Sequence, residues 1–244
     1  MAAGAPVGFL LARGQITWVF ILWVAVLMPA AALYGYFYLC AGKPMPPKQQ
    51  QLANMITVLL VLLWLGITTA DTIEVELWPP VFPSVATLAV ALLLLTGGML
   101  GPAVRGWNRV AEEHKKRLRS FLPEKALHLP AWFLVSLLAG VGEEIGYRGV
   151  LVQLLLGWSD SWAIAFPISC LLFALAHLAQ GPRAALVIFI FAIQFHILVA
   201  LAGTLYVAML VHFLYDFLFG IFAMKQFQKE AAAQPLPQAQ AAQA

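Results

Sequence analysis

The run Val141-Gly142-Glu143-Glu144-Ile145-Gly146-Tyr147-Arg148-Gly149 sets two adjacent carboxylates and an arginine in one of the most apolar stretches of the chain. Charged groups in such surroundings are costly unless they face a cavity and find partners. Two later apolar segments each carry a histidine: Phe173-Ala174-Leu175-Ala176-His177 and His212-Phe213-Leu214-Tyr215-Asp216. Together these groups have the makings of amide hydrolysis. That reaction needs an activated water, a proton carrier and a stabiliser for the tetrahedral intermediate. Two histidines with carboxylates can also coordinate Zn²⁺, whose bound water is acidified to a pKa of about 7. Glu143, His177, His212 and Asp216 are the candidate ligands. The residues alone leave both routes open, one needing no cofactor and one needing a single Zn²⁺.

Spacing assigns faces. Glu144 and Arg148 lie four apart, so on a helix they stack on one side and can pair. Glu143 points about 100° away from Glu144 and stays outside that pair. His212 and Asp216 share a face by the same rule, as do Phe173 and His177, with Cys170 a turn further back. Gly140, Gly142, Gly146 and Gly149 thin the Glu143 helix, and small residues let neighbouring helices approach closely.

The elements that must position these groups are membrane spans. Of the 244 residues, 62% are hydrophobic and only 10% charged, where a soluble domain carries roughly 25% charged residues. The expected fold is all-α, a polytopic transmembrane helix bundle of about seven spans. They fall near 16–39, 52–70, 81–101, 129–157, 161–180, 184–201 and 204–224, since about 20 apolar residues cross a bilayer. The weakest break is Ala202-Gly203-Thr204, placed there because 184–222 is too long for one helix. Three parts are expected: residues 1–128, with the first spans and a basic cytoplasmic loop; 129–224, with every candidate site; and a disordered tail over 225–244, whose Ala/Gln/Pro run from Ala231 has nothing to build a core. Two cysteines make neither a disulfide framework nor a zinc ribbon.

Basic residues favour the cytoplasmic side. Lys43 and Lys48, the Arg105–Lys125 loop, Arg183, and Lys225 with Lys229 alternate with the acidic Asp71–Glu76 loop and Asp160. That pattern predicts a multi-pass protein with its N-terminus outside, its C-terminus cytoplasmic and its site toward the cytoplasmic half. The net charge of +3 is a topology signal and gives no nucleic-acid partner. Membrane lipids are the expected surroundings.

A depth count tests whether the polar groups meet. Taking 157–161 as a turn at the outer surface, Glu143 lies about 21 Å below it and His177 about 24 Å, at 1.5 Å per residue. From the turn at Gly203, His212 is about 13 Å down and Asp216 about 20 Å. Three helices thus bring their polar residues to one layer. Elsewhere, Tyr147 and Phe173 read as packing that orients the site, and Cys170 as core. Gln194 and His196 suggest interhelical hydrogen bonds, while His114 and His128 belong to a solvated basic loop. The His-Glu-x-x-His metalloprotease motif, Gly-x-Ser-Gly and Gly-x-Gly-Asp are all absent.

The three ordered motifs Glu143-Glu144-x-x-x-Arg148, Phe173-x-x-x-His177 and His212-x-x-x-Asp216 resemble those of the CPBP intramembrane proteases. This family comprises CAAX prenyl endopeptidases and bacteriocin-processing or immunity-related (ABI) proteins. The resemblance covers roughly residues 129–224 and includes the motif-free helix between the second and third motifs. It implies an intramembrane endopeptidase in which Glu143, aided by His177, activates the water. It also implies that Glu144 and Arg148 support Glu143, and that His212 and residue 216 stabilise the oxyanion. The substrate would be a membrane protein or a lipidated peptide. The family position is often Asn where this chain has Asp216, and an ionised Asp cannot donate to an oxyanion. Two other functions compete. Intramembrane Glu, His, Asp and Arg also build proton relays, so a proton- or ion-coupled transporter is one alternative, although no inverted repeat is present. A non-catalytic immunity or scaffold protein of the same fold is the other.

Overall fold

A computed structural model describes residues 7–233, with side chains from residue 14 onward. The described residues are helical, joined by short turns, with no strand among them. Six helices are long and apolar enough to cross a membrane: α1 (Gly14–Cys40), α2 (Lys48–Thr72), α3 (Val85–Arg109), α5 (Ala126–Ser159), α7 (Pro182–Ala202) and α8 (Tyr206–Ala232). A further apolar helix, α6 (Trp162–Ala176), has 15 residues. At 1.5 Å per residue it is about 22 Å long, against a hydrocarbon core of about 30 Å. All seven expected segments are therefore present, one of them short. The polar stretch between α3 and α5 contains the amphipathic helix α4 (Glu112–Phe121).

Local chemistry sets the boundaries. Ser84 caps α3 by accepting the Thr87 amide at 3.1 Å, the usual use of an N-cap hydroxyl. Pro182 sits in the first turn of α7, and Pro130 at the start of the α-helical part of α5, just after its 3₁₀ turn at Ala126–His128, where a missing N–H costs little. Asp160 takes a left-handed conformation (φ 50) and closes α5 through its amide to Leu156 O at 2.7 Å. Gly203 does the same for α7 (φ 66), so the weakest sequence break is a real turn that suits a residue without Cβ.

Helix α5 packs against α2 on one side and α8 on the other, while α6 packs against α1, α5 and α7. At Gly140 a Cβ would lie 2.8 Å from both Met209 O and Phe213 N. The α5 and α8 backbones are in near contact there, one turn from Glu143 and His212. Within α5 the backbone widens into a π-helical turn over Glu144–Leu151, a feature common at functional sites. Similar turns interrupt α1 at Trp23–Leu27 and α3 at Leu94–Leu100.

Helix α4 is pinned to the end of α8 and the start of α2. Lys115 Nζ donates to Glu230 Oε1 at 2.8 Å and to Glu112 Oε1 at 2.9 Å, and Arg119 Nη2 donates to Glu230 Oε2 at 2.9 Å. Lys48 donates to the Arg119 carbonyl and pairs with Glu124 at 3.2 Å. Glu230 is available because α8 continues to Ala232, past the expected end at 224. The disorder expected for 225–244 therefore does not hold for its first turns, and the tail from residue 234 lies outside the described residues.

Candidate active site

Three helices deliver the site. Glu143 comes from α5 where the π-turn begins, His177 from the residue that ends α6, and His212 from α8. Glu143 Oε2 lies 3.8 Å from His177 Nε2 and 3.7 Å from His212 Nε2. That oxygen is buried and has no hydrogen-bond partner in the protein. The spacing is too long for direct hydrogen bonds and suits a small group held among the three atoms.

Both imidazoles are oriented from behind. His177 Nδ1 is 2.8 Å from the Phe173 carbonyl. A carbonyl only accepts, so Nδ1 carries the proton and Nε2 faces Glu143. His212 Nδ1 is 2.8 Å from Glu144 Oε1, and a carboxylate likewise takes that proton. The same Oε1 accepts from Arg148 Nη1 at 3.2 Å, and both of those side chains are fully buried. The pair expected from the four-residue spacing is thus formed, and it holds the ring of His212 as well. The Arg148 guanidinium lies 4.2 Å over the Phe173 ring and 5.3 Å from that of Phe195, a favourable placement for a desolvated cation.

Asp216 Oδ2 stands 3.5 Å from His212 Nε2. His212 therefore sits among three carboxylates, an environment that compensates an imidazolium. Tyr147 is wholly buried, with its ring 5.1 Å from Phe173 and its hydroxyl directed at Met28 Sδ, 3.8 Å away. Phe173 stacks on His177 at 4.7 Å. Both aromatics pack as expected, and Cys170 is core. Ser169 Oγ donates to the Tyr147 carbonyl at 2.9 Å, tying α6 to the widened turn.

Glu143, His177, His212 and Asp216 line one cavity of about 870 Å³. Its walls are overwhelmingly apolar, and it reaches Met45, His114 and Arg183 on the side where α4 lies. His114 is half-buried there. Burial first, then the charges of Arg117 and Arg183, hold its imidazole below the usual histidine range.

Some readings need correcting. His128 was expected to be solvated but is buried, and its Nδ1 accepts the Glu124 amide at 3.2 Å. Gln194 and His196 were expected to bond between helices. Instead Gln194 Oε1 and His196 Nε2 lack partners in the protein, and the His196 ring packs on Phe166 at 4.7 Å. One supporting residue escaped the sequence altogether. Phe195, on the motif-free α7, stacks on His212 with centroids 4.9 Å apart and planes 21° apart. An apolar residue in an apolar helix carries no signal that would have singled it out.

Of the four candidate zinc ligands, Glu143 faces both His177 and His212, and Asp216 faces His212; among the described residues no group of three or more His, Cys, Asp or Glu side chains is disposed to hold a metal ion.

Residues 125–218 match the model of a protein family described as type II CAAX prenyl endopeptidase, Rce1-like. The match takes in all three motifs and agrees with the CPBP-type protease resemblance carried by them. No curated protein and no solved structure matches the chain.

Proposed function

We propose that this chain, with its Rce1-like domain over residues 125–218, is an intramembrane endopeptidase in which Glu143 activates a water for attack on a peptide carbonyl. One observation carries the reading. A buried carboxylate oxygen without a partner faces two imidazole Nε2 atoms at 3.8 and 3.7 Å, at the wall of a cavity of about 870 Å³.

A water between these atoms donates one proton to Glu143 and is directed by His177. The oxygen attacks the carbonyl carbon, and the carbonyl π electrons move to its oxygen. His212, protonated and compensated by Glu144 and Asp216, donates from Nε2 to that oxyanion. Glu143 then passes its proton to the leaving amine as the C–N bond breaks. Asp216 acts through His212, which answers the difficulty that an ionised Asp offers no donor of its own.

The apolar cavity fits a membrane-embedded or lipid-modified peptide, with the reacting bond at its polar end. The basic loops share the face onto which this cavity opens, which by the positive-inside rule supports a cytoplasmic cavity mouth and C-terminus.

The test is Glu143→Gln in purified, reconstituted protein presented with a membrane-anchored peptide reporter. Loss of the general base should lower the cleavage rate by about 10²–10⁴-fold, with thermal stability close to wild type. Undiminished cleavage by this variant would remove Glu143 from the mechanism.

A further inference from the structure

The cavity that serves the catalytic groups has a second polar region, at its mouth. His114 and Arg183 both line it. A Cβ placed on Gly181 would lie 3.0 Å from Arg117 Nη1 and 4.0 Å from His114 Nδ1, so these two basic side chains converge on the turn that leads into Arg183. After burial, the nearby charges of Arg117 and Arg183 hold the His114 imidazole below its usual range, a sign of the same proximity. Arg117 is partly compensated, since its Nη2 donates to Glu113 Oε1 at 2.6 Å. The side chains of His114 and Arg183 make no hydrogen bond or ion pair among the described residues. The acidic residues that line the cavity are Glu143 and Asp216, and both belong to the catalytic end. Basic groups gathered without an acid repel one another, and an anion placed among them relieves that cost.

One face of α7 joins the two ends. Ala184, Val187, Ile188, Phe191 and Phe195 all line the cavity and form a single apolar stripe on the helix. Phe195 stacks on His212 with ring centroids 4.9 Å apart. From Arg183 to Phe195 is about 18 Å at 1.5 Å per residue, close to one leaflet's share of a hydrocarbon core about 30 Å thick. Arg183 is the second residue of α7, which sets it at headgroup level. The stripe offers no hydrogen-bonding side chain, and beyond the first turn its backbone groups are spent within the helix. A peptide laid along it would leave N–H and C=O groups without partners, whereas an alkyl chain needs none.

We propose that this cavity binds an anionic single-chain amphiphile, with its carboxylate or phosphate at His114 and Arg183 and its alkyl chain along the α7 stripe as far as Phe195. Arg183 gives the head charge-assisted hydrogen bonds, and His114 gives a further N–H. The chain ends beside His212 and Glu143, in the space that the apolar part of a substrate would use. Amphiphile and substrate therefore exclude each other.

Native mass spectrometry of the full chain, released from a neutral detergent, reads the affinities directly. The probes are oleate, oleoyl lysophosphatidate and oleoyl lysophosphatidylcholine, which share one chain and differ in head charge. The two anions should bind at least about tenfold more tightly than the zwitterion, as expected of hydrogen bonds to a charged group. Whichever anion binds more tightly names the source, a free fatty acid or a phospholipid product. Arg183→Gln combined with His114→Gln should lower the affinity for the anions by about tenfold. Lys225→Gln, at an exposed basic residue that does not line the cavity, should leave it unchanged. Ala184→Trp, which fills the stripe, should weaken all three probes. Equal affinity for the three heads in the wild type overturns the proposal, as does a paired variant no weaker than Lys225→Gln, indifference to Ala184→Trp, or binding confined to a free-acid peptide. The comparison of heads uses wild-type protein, so it needs no variant to fold, and every arm reads binding whether or not the chain cleaves peptides.

Discussion

Replacing Glu144 by Gln separates what holds the site from what the site does. The substitution keeps the size and an accepting oxygen for His212 but removes the negative charge. Arg148, fully buried with Glu144 as its paired carboxylate, is then left with an uncompensated charge. Breaking a buried pair in this way costs about 3–5 kcal/mol. A second variant, Glu144→Gln with Arg148→Met, removes both charges. Apolar replacement of a whole buried pair is often near neutral, so most of the lost stability should return, to within about 1–2 kcal/mol of wild type. Cleavage should not return with it. His212 Nδ1 loses its charged acceptor at 2.8 Å, and an imidazolium at the oxyanion position loses the nearest of its three carboxylates. A rate loss of about 10²-fold or more is expected in both variants. Stability is read by unfolding in mixed micelles followed through tryptophan fluorescence, and activity by cleavage of the membrane-anchored reporter. A Glu144→Gln protein as stable as wild type, or a double variant that recovers its rate together with its stability, would refute the reasoning.

Three further outcomes follow from other parts of the molecule. Gly140→Ala puts a methyl group against the α8 backbone, 2.8 Å from Met209 O and Phe213 N; thermal unfolding should show a loss of about 1–3 kcal/mol, and cleavage should fall as His212 moves away from Glu143. Glu230→Gln loosens α4 from α8 by removing the partner of both Lys115 and Arg119. Glu230 is partly exposed, so the cost should be only about 0.5–1 kcal/mol and should shrink in high salt, while limited proteolysis should cut near α4 sooner than in wild type. His114 bears on pH. Its folded-state pKa lies below the ordinary 6.5, so the unfolded chain binds the proton first, and its stabilising contribution is present above about pH 6.5 and is lost as pH falls toward the lower folded value. Between about pH 5 and 7.5 the stability of His114→Gln should therefore depend on pH less than that of wild type.

Much of the site was legible because helical periodicity is a strong constraint. Four-residue spacing paired Glu144 with Arg148 and left Glu143 outside the pair, and the structure has both. Counting residues from the surface turns brought Glu143, His177 and His212 to one depth because apolar helices of known rise have little freedom in a bilayer. Features that depend on partners far along the chain were not legible. The burial of Lys115 follows from Glu230, more than a hundred residues away, so α4 read as a solvated loop. The stacking of Phe195 on His212 leaves no trace in an apolar run. The π-turn at Glu144–Leu151 arises from backbone bonding under tertiary packing, and residue type alone does not specify it. Gln194 and His196 had suitable donors and acceptors, yet neighbouring side chains bring no counterpart to Gln194 Oε1 or His196 Nε2.

Helix α6, with its 15 residues, ends within the thickness of an ordinary bilayer, and the residue at its end is His177. Lipid tails beside that end must shorten or splay to follow it, drawing headgroups inward and thinning the leaflet at the place where a substrate would arrive. Such mismatch costs fractions of a kcal/mol per Å, so acyl-chain length becomes a control on the protein, with short-chain lipids relieving the deformation and long-chain lipids deepening it. The host membrane's composition would thereby bear on the site through a helix about one and a half turns too short.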